Sequence, residues 1–331
     1  SQMATGYPSL SETIGGDASG NPRETVLELA RRRGKATGLV SDTRLTHATP
    51  AAFAAHTASR WDEDTIAVQM VDKNTGPDVM LSGGLRYFLP RSANSKTSPV
   101  YTELVNRRAI PVTVKSKRKD TINVLEYARS EAGYELAFSR EDLNAAHGPK
   151  VLGLFNSSGM PDAIDETWQR SDPARRWPTL DEMTTRALDI LDNDPDGFFL
   201  MVEAGQIDWA EHNQDAGQLL HEMLRLDRTL EVIRTWATGR DDTVIIITAD
   251  HDTGGFTMTY TANDLPNTPN PVPGTLFRDR DYQPGNNYGR FDVFDRLYDQ
   301  KMSSATLLFR FDKLPEKERT PQALAAMIEQ N

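Results

Sequence analysis

The chain reads as an α/β protein with a largely parallel central sheet, helices on both faces and an irregular insertion toward its C-terminal end. Two observations predict this. Short apolar runs alternate with stretches that carry apolar residues at helical spacing. The acid and histidine residues with metal-ligand chemistry directly follow two of those runs, which places them at the carboxyl edge of such a sheet.

In chain order, Thr25 to Arg33 carries Val26, Leu27, Leu29 and Ala30 at helical spacing with Gly34 as its stop, and Ala36 to Val40 follows as a strand. Pro50 begins a helix that carries Arg60 at its end. Asp78 to Leu81, with Gly83-Gly84, is a short strand and turn, Val112 to Val114 is a further candidate strand, and Val151 to Phe155 is another. Thr179 to Leu191 is an amphipathic helix with Met183, Ala187, Leu188 and Leu191 inward, and the strand Phe198 to Val202 comes next. Asp215 to Trp236 is a long helix with Leu219, Leu220, Met223, Leu226, Leu230 and Ile233 on one stripe, followed by the core strand Thr243 to Thr248. After Phe256 this rhythm stops. Pro266, Pro269, Pro271, Pro273 and Pro284 punctuate an Asn- and Gly-rich stretch, then come an aromatic segment from Phe291 to Tyr298 and a helix from Gln322 to Gln330. The division expected from this is a core over 1–256 and an insertion over 257–331.

Composition narrows the function. A chain of 331 residues can bury a sizeable core, and a net charge of -11 argues against nucleic acid binding and against a polybasic membrane anchor. No apolar run approaches the roughly 20 residues of a membrane span. The absence of cysteine excludes disulfides and thiolate zinc sites.

The chemistry concentrates in two places. The run Gly197 to Val202 leads into Glu203, Asp208 and His212, and the run Thr243 to Ala249 leads into Asp250-His251. Carboxylate and imidazole gathered at strand ends are what divalent transition metals bind. Asp208 and His212 are four residues apart and share a face if a helix starts near Ile207, whereas Glu203 would reach a neighbouring ion. Taken alone, the first cluster fits a carboxylate helix cap with a solvated histidine equally well. Asp250-His251 shifts the balance toward metal, because the following Thr253-Gly254-Gly255 supplies the sharp turn that lets adjacent residues face one ion. His56 and His221 are read as packed or polar-face histidines, and His147 as a loop residue.

Three segments carry a resemblance. Thr46-His47-Ala-Thr49-Pro-Ala-Ala-Phe-Ala-Ala-His56-Thr-Ala-Ser-Arg60, Val202-Glu-Ala-Gly-Gln-Ile-Asp208-Trp-Ala-Glu-His212 and Thr248-Ala-Asp250-His251-Asp-Thr-Gly-Gly255 resemble, in order and interval, motifs of the alkaline phosphatase family. The likeness runs from Ser1 to about Phe256 and implies an alkaline phosphatase-like fold. It implies that Asp208 and His212 bind a first zinc, Asp250 and His251 a second, and Glu203 with Thr49 a third ion, magnesium. Arg60 would clamp two phosphate oxygens, which a planar guanidinium can do and a lysine cannot. His47 and Trp209 would lie at the substrate. Their combination resembles a bacterial branch of marine and cold-adapted enzymes, and an imidazole at position 47 tilts the third site toward zinc or cobalt. His47 is equally readable as hydrogen-bonding a water at that site.

The function implied is hydrolysis of phosphate monoesters through a phosphoserine intermediate, in a periplasmic or secreted homodimer whose 257–331 insertion resembles a crown or dimer arm. Alternatives are a phosphodiesterase or phosphomutase of the same superfamily, or a non-catalytic metal-binding fragment. The family's nucleophilic serine precedes a Thr-Gly pair by more than Ser1 precedes Thr5-Gly6, and no histidine follows His251. The resemblance therefore implies a chain incomplete at both ends and inactive by itself, without the serine and one zinc-binding histidine.

Overall fold

The computed structural model describes residues 1–107, 115–257 and 292–331. Among the described residues five strands are defined, β1 (Ala36–Arg44), β2 (Val79–Gly83), β3 (Glu135–Ala137), β4 (Val151–Leu154) and β5 (Phe198–Glu203). They form one sheet in the order β3-β4-β2-β1-β5, and every pairing is parallel. Parallel neighbours require crossovers, and the intervening segments supply helices for them. The expected largely parallel α/β fold is therefore the fold observed.

Alternation along the strands builds two cores. Leu39, Met80 and Leu152 join one buried cluster with Leu27, Phe53, Ile66 and Leu125, which come from helices Val26–Arg32, Ala48–Ala54, Glu63–Met70 and Val124–Ser130. Val40, Val79, Leu81 and Val151 join the other, against Leu180, Met183, Ala187 and Leu191 of helix Leu180–Leu191. Neighbouring strand residues thus face opposite layers, as a period of two requires. Helix starts follow local chemistry. Thr25 with Glu28, and Thr179 with Glu182, form reciprocal capping boxes. Gly34, at φ +80°, takes the left-handed conformation that ends the first of these helices. His56 is hydrogen-bonded on both ring nitrogens, to Gly15 O at 2.8 Å and Glu28 Oε1 at 2.9 Å, and the bond to Glu28 holds its pKa above the ordinary value.

Three sequence expectations are corrected. The run Thr243 to Thr248 belongs to no strand, and Val244 and Ile246 are 85% and 82% exposed. A β-branched run favours extended chain, but strand formation also needs a neighbouring ladder, and none of the described strands pairs with it. The helix after Arg44 starts at Ala48, with His47 as its N-cap, and ends at Ala54. Ala55 turns extended and Thr57 pairs with Ile14, so Arg60 lies outside any helix. Helix Ala216–Ala237 buries Gln218, His221, Glu222, Arg225 and Thr229 and leaves Met223 47% exposed, so its polar face points inward. The candidate strand Val112 to Val114 and the proline-rich stretch lie outside the described residues. The late helices are Asp292–Tyr298, Ser304–Lys313 and Pro321–Glu329.

The chain forms two compact units, Ser1–Ile207 with Glu222–Asp250, and Asp208–His221 with His251–Asn331. Among the described residues no helix is long and apolar enough to cross a membrane.

Candidate metal and phosphate site

In the first unit the site grows from the end of β1. Ser41 pairs in register with Glu203, the last residue of β5, so the end of that strand meets β1 near the sheet's carboxyl edge. Ser41 and Thr43, two residues apart, face the same side. The Ser41 hydroxyl donates to Glu203 Oε2 in a very short bond, Thr43 Oγ1 donates to the same oxygen at 3.0 Å, and the two hydroxyls lie 2.7 Å apart. The Thr49 hydroxyl, from the first turn of helix Ala48–Ala54, also reaches this carboxylate. Burial pushes the Glu203 pKa up to about 7, the nearby charge of Asp42 adds to the shift, and the three hydroxyls oppose it. A half-buried carboxylate ringed by neutral hydroxyls, with no cationic side chain among its hydrogen-bond partners in the described residues, is an all-oxygen donor set suited to a hard divalent ion.

The segment that leads into His47 and Thr49 is held by a buried acid. Glu63, 5% exposed, accepts from Arg44 Nε at 2.9 Å and from Thr46 Oγ1 at 2.5 Å. His47 Nε2 accepts from the Arg60 guanidinium at 3.1 Å, which fixes the direction of both side chains. The Arg60 backbone N–H donates to Glu12 O at 2.7 Å, and its guanidinium lies over the Trp61 ring. Asp250 and His251 both stand exposed at the end of the 243–249 run.

In the second unit Asp208 and His212 share a face of helix Gln206–His212, with Nε2 3.6 Å from Oδ1. Thr253 Oγ1 donates to Asp208 Oδ1 at 2.5 Å and lies 3.2 Å from His251 Nδ1, so one hydroxyl ties the Asp208 and His251 segments together. The expected turn is present. Gly254 and Gly255 both have positive φ, and a Cβ on Gly254 would sit 2.6 Å from Glu211 O, so this approach requires glycine. Trp209 lies half-buried on the same short helix.

The predicted residues are thus gathered in small sets: Glu203 with Thr49, His47 with Arg60, and Asp208 with His212 and, through Thr253, His251. Among the described residues no three His, Asp or Glu side chains stand close enough together to hold a metal ion by themselves. Sequence reasoning missed Ser41, Thr43 and Thr253. Ser41-x-Thr43 at the end of a strand was a readable signal, since residues two apart on a strand share a face, whereas Thr253 was read only as part of a turn.

Comparison with known proteins shows the family. A family model for alkaline phosphatase matches residues 1–275. Alkaline phosphatase 4 of Bacillus subtilis (strain 168) is 35% identical over 260 residues, which cover 77% of this chain and 48% of that protein. The repressible alkaline phosphatase of Saccharomyces cerevisiae is 33% identical over 271 residues, covering 77% and 44%. The crystal structure of Thermus thermophilus alkaline phosphatase aligns with a TM-score of 0.72 at 27% identity, over 98% of this chain and 57% of that one. A mutant of the TAB5 alkaline phosphatase with Mg bound in its M3 site aligns with a TM-score of 0.61 at 26% identity, over 80% and 66%. The chain spans about half the length of the curated relatives it matches. On the family match and these identities, the chain belongs to the alkaline phosphatase family.

Proposed function

We propose that the intact protein is a metal-dependent phosphate monoester hydrolase. One observation carries this reading: Glu203, at the carboxyl edge of the parallel sheet, presents a half-buried carboxylate whose hydrogen-bond partners are the hydroxyls of Ser41, Thr43 and Thr49. Together with Thr49 it is suited to hold magnesium, as the Mg-bearing TAB5 relative supports. Zinc ions would be held by Asp208 and His212, and by Asp250 and His251. His47 in the place of a carboxylate makes zinc or cobalt an acceptable third ion.

When bound, the divalent ions supply positive charge against the phosphoryl oxygens and lower the pKa of coordinated groups. The chain's own residues do the rest. Arg60 binds two oxygens of a monoester as a planar fork, and a diester has fewer oxygens free for it. His47 accepts from Arg60 and so orients the fork, and Trp209 borders the substrate. Thr253 holds Asp208 in one rotamer by donating to it. Turnover through a phosphoserine, a periplasmic or secreted location, a homodimer and a 257–331 arm that serves it complete the reading suggested by the family.

Glu203→Gln tests the carrying observation, because it keeps the shape and removes the charge. Titration calorimetry of chelator-stripped protein with magnesium should show affinity reduced by about tenfold or more, the scale expected when a charged ligand is lost. Equal magnesium affinity in wild type and variant would remove Glu203 from the site.

A further inference from the structure

The inward polar face of helix Ala216–Ala237 places one guanidinium where no hydrophobic core would ask for it. Arg225, 1% exposed, donates from Nε to Glu166 Oε2 at 2.9 Å, from NH1 to Asp42 Oδ2 at 3.3 Å and from NH2 to Pro161 O at 2.8 Å, and NH1 lies 3.0 Å from Glu222 Oε2. Three buried carboxylates converge on this arginine, Glu166 being paired with Arg170 and Arg228 as well, and such a cluster is expensive, since apolar residues of equal volume often do as well for stability alone. The contacts of Asp42 indicate what the cluster secures. Its other oxygen, Oδ1, accepts from the backbone N–H groups of Gly205 at 2.8 Å and Gln206 at 3.2 Å, and its carbonyl accepts from Gln206 Nε2 at 2.9 Å. The chain therefore leaves β5 immediately after Glu203 in a turn pinned by Asp42. Gly205 is needed in this turn, because a Cβ there would lie 2.5 Å from Thr43 Cγ2 and 2.8 Å from Glu203 Cδ.

Three consecutive residues of β1 thus grip one acid from two sides. Ser41 and Thr43 hold the Glu203 carboxylate, and Asp42, pointing the other way, holds the backbone that follows it. We propose that Asp42, anchored by Arg225, is a positioning residue that fixes the Glu203 carboxylate in the orientation used to bind a divalent cation. This rests on the reading of Glu203 as a cation ligand. Neither Asp42 nor Arg225 touches the cation. They act by denying Glu203 the rotations that a free strand end would allow.

The test compares magnesium affinity, by titration calorimetry on the metal-stripped full chain, in wild type, Asp42→Asn, Arg225→Lys, Glu222→Gln and Glu203→Gln. Asp42→Asn keeps the volume but turns a donor toward Arg225 or toward the turn, and Arg225→Lys keeps the charge but cannot span the same partners. Both should lose magnesium affinity by about tenfold, the usual scale for a residue that orients a ligand. Glu222→Gln disturbs the same buried cluster and should leave magnesium affinity within about twofold, because Glu222 bonds Arg225 and the Ala163 N–H. Equal losses in Glu222→Gln and Asp42→Asn would show a structural effect only and overturn the proposal, as would wild-type affinity in both Asp42→Asn and Arg225→Lys. If Glu203→Gln also leaves affinity unchanged, the reading of Glu203 has failed. If Glu203→Gln alone weakens binding, only the positioning role has.

Discussion

Arg225→Met should destabilise the protein by about 3–5 kcal/mol near neutral pH, the cost of removing one partner from a buried ion cluster. The methionine fills most of the space but leaves Asp42 and Glu222, both 1% exposed, without their guanidinium. Burial already raises the pKa of both carboxyls, that of Glu222 to about 8, while Arg225 opposes the shift. The pH dependence follows from these directions. A carboxyl whose pKa is raised on folding binds more protons in the native than in the unfolded state, so stability falls as pH rises from its ordinary value through the raised one. Without Arg225 the pKa values rise further, and the deficit of the variant should be largest at alkaline pH and shrink toward pH 5. Urea unfolding at pH 5, 7 and 9 measures this, and a loss below about 1 kcal/mol at all three would mean that the cluster does not carry the charge assigned to it.

The second large effect concerns Arg60. Its guanidinium touches His47 Nε2 and the Trp61 ring and, among the described residues, pairs with no carboxylate, so Arg60→Ala should leave metal content unchanged while removing a charge-assisted contact to phosphate. A loss of about 1.5–3 kcal/mol corresponds to roughly 10- to 150-fold weaker inhibition by inorganic phosphate and a comparable fall in kcat/KM. The inhibition constant of phosphate against a chromogenic monoester in the intact protein is the measurement. An unchanged constant would take Arg60 out of the phosphate site.

Much of the fold was legible because it rests on local periodicity. The strands β1, β2, β4 and β5 and helix Leu180–Leu191 follow from apolar spacing and turn chemistry, with β5 running one residue past the expected Val202. What escaped depends on partners far away in sequence. The residues 243–248 have strand composition, but composition cannot say whether a ladder stands beside them. Helix Ala216–Ala237 has an apolar stripe and a polar stripe, and only the distant carboxylates Asp42 and Glu166 explain why the polar one is buried. In the site, Glu203, Asp208 and His212 were readable from residue type and spacing, as was the pairing of Asp208 with His212 on one helical face. The support around them was less so. Ser41 meets Glu203 only because β1 and β5 are parallel neighbours in one particular register, and Asp42 meets Gly205 for the same reason.

The most direct test of the account is the rate at which the intact protein hydrolyses p-nitrophenyl phosphate and bis-p-nitrophenyl phosphate at alkaline pH, before and after chelation and with zinc and magnesium restored. The account predicts clear preference for the monoester, loss of that activity in chelator and its return with the metals. Chelator-resistant turnover, or a preference for the diester, would contradict it.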